Sequence, residues 1–274
     1  MFSASVIISF YNNIKALDVI ITSLESQADA QFDVIIADDG SNEQSQQYLA
    51  DKISSSPLTI KHISQRDQGF RKNRILNKAV SLAESEYLIF IDGDCIPQQH
   101  FVADHLNDSA SGLILNGRRV DLAERYKERL HQSRSPQTFF YNNLGSILFH
   151  YLLGKGKNVE KGLRVTNPKL SGFLNRKDKS IVGCNFSLFK ADLLSVNGFN
   201  NRYEVASVGE DTDIEYRLVK DGKRVKNLFF KANMLHVIHP ELPRLKEATD
   251  IFNESVKNGE TVAIDGYAQA FEQP

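Results

Sequence analysis

The chain contains no tryptophan, only two methionines and only two cysteines. Cys95 and Cys184 are too few for a secreted disulfide framework, and read either as reduced thiols of a cytosolic protein or as one incidental pair. Long apolar runs are missing as well. One long uncharged stretch, Pro136 to Gly154, carries Asn142, Asn143, Ser146 and His150, which makes a poor membrane span. The N-terminus has no basic residue before Lys15 and a short apolar core, unlike a secretion signal. There is no excess of one charge: 33 Lys+Arg stand against 34 Asp+Glu, a formal net charge of -1. No global basic field therefore recruits nucleic acid. The dinucleotide pattern Gly-x-Gly-x-x-Gly, the phosphate loop Gly-x-x-x-x-Gly-Lys-Ser/Thr and the Gly-x-Ser-x-Gly elbow do not occur, nor does any Cys/His spacing suited to structural zinc.

What is present is ordinary globular composition, 41% hydrophobic and 24% charged over 274 residues. A chain of this length buries roughly three quarters of its unfolded surface and needs no staple. Val6-Ile7-Ile8, Val34-Ile35-Ile36, the stretch around Leu58, Ile60 and Ile63, and Tyr87-Leu88-Ile89-Phe90-Ile91 are short, nearly continuous apolar runs. Between them, 14–28 and 71–84 show helical spacing, the latter with Ile75, Leu76, Ala79, Val80 and Ala83 on one face. Short apolar strands alternating with helices predict a parallel βαβ sheet buried on both faces. Gly183 to Phe189 predicts a further strand followed by a short helix, 210–220 a helix, and 242–256 a helix with Leu242, Leu245, Ala248, Phe252 and Val256 on one face.

Ligands of such sheets bind at the carboxyl ends of the strands. Three of the four predicted ends carry carboxylates: Asp38-Asp39, Asp67, and Asp92-Gly93-Asp94. Two carboxylates one residue apart, on a turn relaxed by glycine, can face one divalent cation; a solvated Asp-Gly turn is the plainer alternative. Asp39 could accept from a nucleobase edge, or belong to an ordinary loop in which Ser41 caps the next helix. Glu210, Asp211 and Asp213 crowd one helix start, where acidic residues are favoured and where one could serve as a general base. His236 and His239, with two aspartates, would make a mixed nitrogen and oxygen site suited to Mn²⁺ or Mg²⁺, or be plain core or surface histidines.

Residues 117–180 hold 14 Lys/Arg against 5 Asp/Glu, so the balanced total hides a strong local asymmetry. Within this segment 138–153 is rich in aromatic and aliphatic side chains. It reads as an acceptor-side lobe for an anionic glycan, as a surface resting on an anionic membrane, or as a solvated face around a core helix.

Taken in order, VIISFYNN, VIIADDGS, QGFRKNRILNKAV and YLIFIDGDCIP resemble family 2 glycosyltransferases of the GT-A fold. GCNFSLFKADLLSVNGF and VGEDTDIEYRL resemble the galactosyltransferase-type C-terminal segment of chondroitin-polymerase-like and β-1,4-galactosyltransferase-like enzymes. The resemblance runs from about residue 4 to 240, apart from the middle of the basic segment. It implies an α/β, Rossmann-like, mostly parallel central sheet flanked by helices. The implied domain is 1–240, with a nucleotide-sugar half 1–116, a basic acceptor-side insert 117–180 and a catalytic segment 181–240; 241–274 forms a C-terminal helix and tail.

The resemblance also assigns roles. Ser9, Phe10 and Tyr11 would line the nucleotide pocket, and Asp39 would hold the uracil ring. Arg71 and Arg74 would sit near base or diphosphate, with Arg66 a weaker choice. Asp92 and Asp94 match the Asp-x-Asp motif, Asp94 as direct metal ligand and Asp92 nearer the ribose. His236, or His239 as its alternative, matches the metal-binding histidine. Asp211 matches the catalytic base, with Glu210 and Asp213 at the acceptor. The implied activity is inverting, Mn²⁺- or Mg²⁺-dependent hexosyl transfer from a UDP-sugar to a hydroxyl of a glycan or lipid-linked glycan, in bacterial surface polysaccharide or lipopolysaccharide synthesis. The implied location is cytoplasmic, or peripheral at the inner face of the membrane. A sugar nucleotidyltransferase and a non-catalytic glycan- or nucleotide-binding module are the alternatives. One departure stands out. Related enzymes carry a Trp before the Gly-Glu-Asp, where this chain reads Ala206-Ser-Val-Gly-Glu-Asp. An aromatic platform for the acceptor would have to come from elsewhere, such as Phe139, Phe140 or Tyr141.

Overall fold

The apolar runs of the first ninety or so residues form the parallel half of one sheet. The computed structural model describes residues 3–27, 30–177, 179–205, 210–237 and 245–272, Glu210 by its backbone alone. Strands β1 (Ala4–Phe10), β2 (Phe32–Asp38), β3 (Ile60–Ser64) and β4 (Tyr87–Asp92) pair in parallel, linked by helices α1 (Ile14–Glu25), α2 (Glu43–Ser55) and α3 (Lys72–Leu82). Val6, Ile8, Val34, Ile36 and Ile89 pack with α1 on one face of the sheet. Ile7, Ile35, Leu88 and Phe90 pack with α3 on the other. Because neither face is wet, successive residues are apolar and the strands show no polar alternation. Asn13 and Asn42 cap α1 and α2 by accepting from the amides of Ala16 (3.3 Å) and Ser45 (3.0 Å), which ends each preceding loop sharply.

The chain continues through β5 (Cys95–Pro97), α4 (Phe101–Asp108), β6 (Leu113–Asn116), β7 (Arg119–Leu122), α5 (Lys127–His131), α6 (Phe139–Asn142), α7 (Leu144–Leu152) and α8 (Pro168–Leu174). It then forms β8 (Asn185–Phe189), α9 (Lys190–Ser195), α10 (Glu210–Lys220), β9 (Arg224–Asn227), β10 (Met234–Val237) and α11 (Lys246–Asn258). The seven-stranded sheet has the order β3-β2-β1-β4-β8-β6-β9, with β8 antiparallel to both neighbours and β9 parallel to β6. A second sheet, β5-β10-β7, joins three short segments distant in sequence. The architecture is the α/β, mostly parallel sheet that the resemblance implied.

Two expectations shift. The C-terminal helix starts at Lys246, and its inward face is Ala248 and Ser255, both fully buried, whereas Val256 is exposed. A seven-residue step fixes that face, so Val256 is turned about 100° away from it. Leu242 lies outside the described residues. The basic segment forms several short helices, and Phe139 and Phe140 are buried among core residues. They cannot offer a platform to a sugar. Tyr141 stays half exposed, its hydroxyl accepting from the amide of Arg164 at 2.9 Å. Among the described residues no helix is long and apolar enough to cross a membrane.

Candidate active site

A recess of about 530 Å³ opens at the carboxyl ends of β1, β2 and β4, lined among others by Ser9, Phe10, Tyr11, Asp39, Lys72 and Asp92. Gly93 lets the turn after β4 close on β1, since a Cβ there would fall on the carbonyl oxygen of Ser9. Asp39 is buried, its oxygens accepting from Gln65 Nε2 (2.6 Å) and the Arg71 amide (2.8 Å). Burial raises its pKa above the ordinary value, opposed by those two hydrogen bonds. Asp92 accepts from Ser9 Oγ (3.1 Å) and pairs with Lys72 Nζ (2.7 Å).

Neither of the two arginines expected here lines the recess with its side chain. The Arg71 guanidinium donates to the carbonyl of Arg66, and its contribution to the recess is its backbone amide on Asp39. Arg74 is buried against Asp265 Oδ2 and the carbonyl of Gln269, both at 3.3 Å. It clasps the C-terminal segment to α3. The cation at the recess is Lys72, which sequence reasoning missed although it opens the helix that follows the Gly-Phe-Arg turn.

The small sheet assembles the second cluster. His236 on β10 stands opposite Cys95 on one side and Asp121 on the other. Its Nε2 lies 3.5 Å from Asp94 Oδ2 and its Nδ1 2.9 Å from Asp121 Oδ1. Arg119 Nε in turn donates to Asp121 at 3.0 Å. Burial works against an imidazolium here, but the hydrogen bonds to Asp121 and Asp94 outweigh it and raise His236 to about 9. Burial likewise works against the Asp94 carboxylate, and His236, the Cys95 thiol and Arg119 overcome it, holding Asp94 well below the usual range. The carboxylates of Asp94 and Asp121 thus favour a protonated imidazole between them. Asp121 and Arg119 were not singled out from sequence, because a four-residue strand gives no periodic signal. His239 lies outside the described residues.

Asp211, in the first turn of α10, faces a recess of about 270 Å³ that it shares with Asp92, Arg118, Arg119, Asp121 and Gly183. Its Oδ2 accepts from the Gly183 amide at 3.2 Å and its Oδ1 from the Thr212 amide at 2.8 Å. Asp92 lines both recesses, so the two are contiguous at that residue. Asp213 does not join them. It is 1% exposed and bound to Arg217 through Nε (2.9 Å) and Nη2 (2.7 Å), with the Tyr203 hydroxyl at 3.4 Å. The acceptor role expected of Asp213 is therefore withdrawn, since its oxygens face the core. The side chain of Glu210 lies outside the described residues.

A family model described as glycosyl transferase family 2 matches residues 5–156, more than half of the chain. The chain belongs to glycosyltransferase family 2. A second model, described as the N-terminal domain of galactosyltransferase, matches residues 172–240, the part that carries Asp211 and His236. Among curated relatives of this family 2 chain is the chondroitin synthase of Pasteurella multocida (strain Pm70), 27% identical over 230 residues. That match covers 80% of this chain and 23% of the relative, so the chain spans about a quarter of that protein's length. Among solved structures, GalNAc-T7 with UDP, GalNAc and Mn²⁺ aligns at TM-score 0.62 and 13% identity, covering 92% of this chain and 48% of that one. The mannosyltransferase PcManGT from Pyrobaculum calidifontis, in complex with GDP-Man and Mn²⁺, aligns at 0.56 and 13%, covering 100% and 65%. At such identity the likeness establishes the fold, which is GT-A.

Proposed function

We propose that this family 2 glycosyltransferase is an inverting, metal-dependent enzyme that moves a hexosyl group from a UDP-sugar to a hydroxyl of a glycan or lipid-linked glycan. The observation that carries the reading is the contiguity of the two recesses at Asp92, with a candidate base in one and a nucleotide-sized cleft in the other. Asp39 accepts from the base ring, Tyr11 and Phe10 flank it, and Asp92 with Lys72 borders the ribose and diphosphate. Asp211 takes the proton of the acceptor hydroxyl as its oxygen bonds to the anomeric carbon. The bond from that carbon to the diphosphate breaks on the opposite face, which inverts the centre. Lys72, Arg118 and Arg119 offset charge around the leaving group.

The residues present fit a divalent cation. Asp94 and His236 offer one oxygen and one nitrogen, and Asp121 fixes the imidazole by holding Nδ1, the usual arrangement behind a ligating histidine. Among the described residues no three His, Cys, Asp or Glu side chains close around one point. Asp94 and His236 would therefore leave places open to substrate oxygens, with Asp92 alongside. Bound there, Mn²⁺ or Mg²⁺ supplies positive charge to the departing diphosphate. The proposed setting is bacterial surface polysaccharide or lipopolysaccharide synthesis; a relative named chondroitin synthase supports polysaccharide synthesis alone.

The test pairs Asp211→Asn with Asp94→Ala. One positioned base is worth about 10²–10⁴-fold, so Asp211→Asn should lose that much transfer while calorimetric UDP affinity in Mn²⁺ stays within about twofold. Asp94→Ala should lose the Mn²⁺-dependent part of UDP binding. Equal loss of transfer and nucleotide binding in Asp211→Asn would remove it as the base. Absence of UDP release from any UDP-sugar by the wild type would leave a binding module.

A further inference from the structure

Helix α7 covers the core with one side and leaves the other bare. Ile147 and His150 are buried, His150 bonding to the Tyr126 hydroxyl at 3.1 Å and to the Ser146 carbonyl at 2.7 Å. Leu148, Phe149, Leu152 and Leu153 point the other way, with Phe149 59%, Leu152 84% and Leu153 58% exposed. At 100° per residue these four span an arc of about 140°, opposite the buried pair. Four large apolar side chains contiguous on one short helix form a patch that a lone soluble surface does not ordinarily carry.

Cations lie alongside the inner face of α7 and follow the patch beyond its C-terminus. Arg129 donates to Asn143, at the N-terminus of α7, at 2.6 Å, and Arg125 is hydrogen-bonded to His150. Beyond the C-terminus come Lys155 and Lys157, both exposed. The 117–180 segment that holds them carries 14 basic residues against 5 acidic ones. A short helix with an apolar outer face, cations at its flanks and insufficient length to cross a bilayer has the pattern of an interfacial helix. We propose that α7 and its flanking cations are a docking surface for an anionic phospholipid membrane, with Leu148, Phe149, Leu152 and Leu153 entering the headgroup boundary. The proposal does not depend on the reaction assigned above. Geometrically it places the site at the bilayer, because the loop after α7 is bridged to the active-site strand: Lys157 and Asp121 exchange backbone hydrogen bonds of 2.9 and 3.0 Å.

The experiment is vesicle co-sedimentation of the full chain, using phosphatidylcholine vesicles with and without about 30 mol% phosphatidylglycerol, at about 0.05 and 0.5 M salt. Three proteins are compared: wild type, Phe149→Ser/Leu152→Ser, and Lys155→Glu/Lys157→Glu, whose altered residues are all at the surface and outside the catalytic machinery. Wild type should bind the anionic vesicles and lose about tenfold in affinity on neutral vesicles or at high salt. Each double variant should lose about tenfold while melting as wild type does. Equal binding to both vesicles, no binding, or wild-type binding by either variant overturns the proposal. So does a wild-type dimer in light scattering that the apolar variant abolishes, which would assign the face to a second copy. UDP binding, read in the same samples, should be unchanged throughout, so failure here is separate from failure of the transferase reading.

Discussion

Asp213 holds the fold together rather than facing a recess. The carboxylate faces a guanidinium that is itself 1% exposed, and Arg217 Nη1 donates to the carbonyls of Val196 (2.7 Å) and Gly198 (2.8 Å). In Asp213→Ala those two bonds remain, but Nε and Nη2 lose their acceptor and the charge loses its partner. Breaking a buried pair from one side costs about 3–5 kcal/mol. Against a total stability of about 5–15 kcal/mol that is a large fraction. For a chain of this size it corresponds to a fall in melting temperature of about 10 °C. Asp213→Asn keeps one acceptor and should lose about half as much. The assay is thermal and urea unfolding, with transfer measured well below the lowest melting point, where folded Asp213→Asn should retain most activity. Wild-type melting combined with lost transfer would refute the argument and return Asp213 to the acceptor.

Two further outcomes follow from buried geometry. Gly93→Ala pushes a methyl group onto the Ser9 carbonyl, so it should displace Asp92 and Asp94 and lower Mn²⁺-dependent UDP affinity by about tenfold or more; calorimetry equal to wild type would show that the turn can give way. His105 lies fully buried between Ser187 Oγ (2.8 Å) and Asn185 Oδ1 (3.1 Å), and burial, opposed by the Asn185 bond, lowers its pKa to about 4. Its contribution is therefore complete above the ordinary value near 6.5. It is lost as pH falls toward 4, by up to about 3 kcal/mol, because the unfolded chain takes the proton first. In His105→Gln the slope of stability against pH across that window should fall by nearly one proton; an unchanged slope would count against it.

The N-terminal half was legible because its physics is local. Strands wet on neither face declare themselves as apolar runs, and strand ends place Ser9, Asp39 and Asp92 by rule. Asp211 and Asp213 were separable in principle, since two residues along a helix turn about 200°, so both could not face one recess. Arg71 and Arg74 were drawn to the site by their charge, but the phase of α3 carries Arg74 toward the C-terminal segment and leaves Lys72 at the recess. Asp121 was out of reach for a different reason. Its role depends on pairing with a strand 115 residues away, and nothing in Arg119-Val-Asp-Leu signals that partner.

The small sheet has a consequence for the order in which the protein becomes competent. During synthesis, β1 to β4 and their helices emerge first and can shape the nucleotide cleft from neighbouring contacts. β10 must then close a long loop to reach β5 and β7, a step that is slow for entropic reasons. Until it docks, His236 is missing from Asp94, and α10 with Asp211 is still to be placed. A nascent or partly folded chain can therefore shape the first recess before the small sheet brings His236 to Asp94.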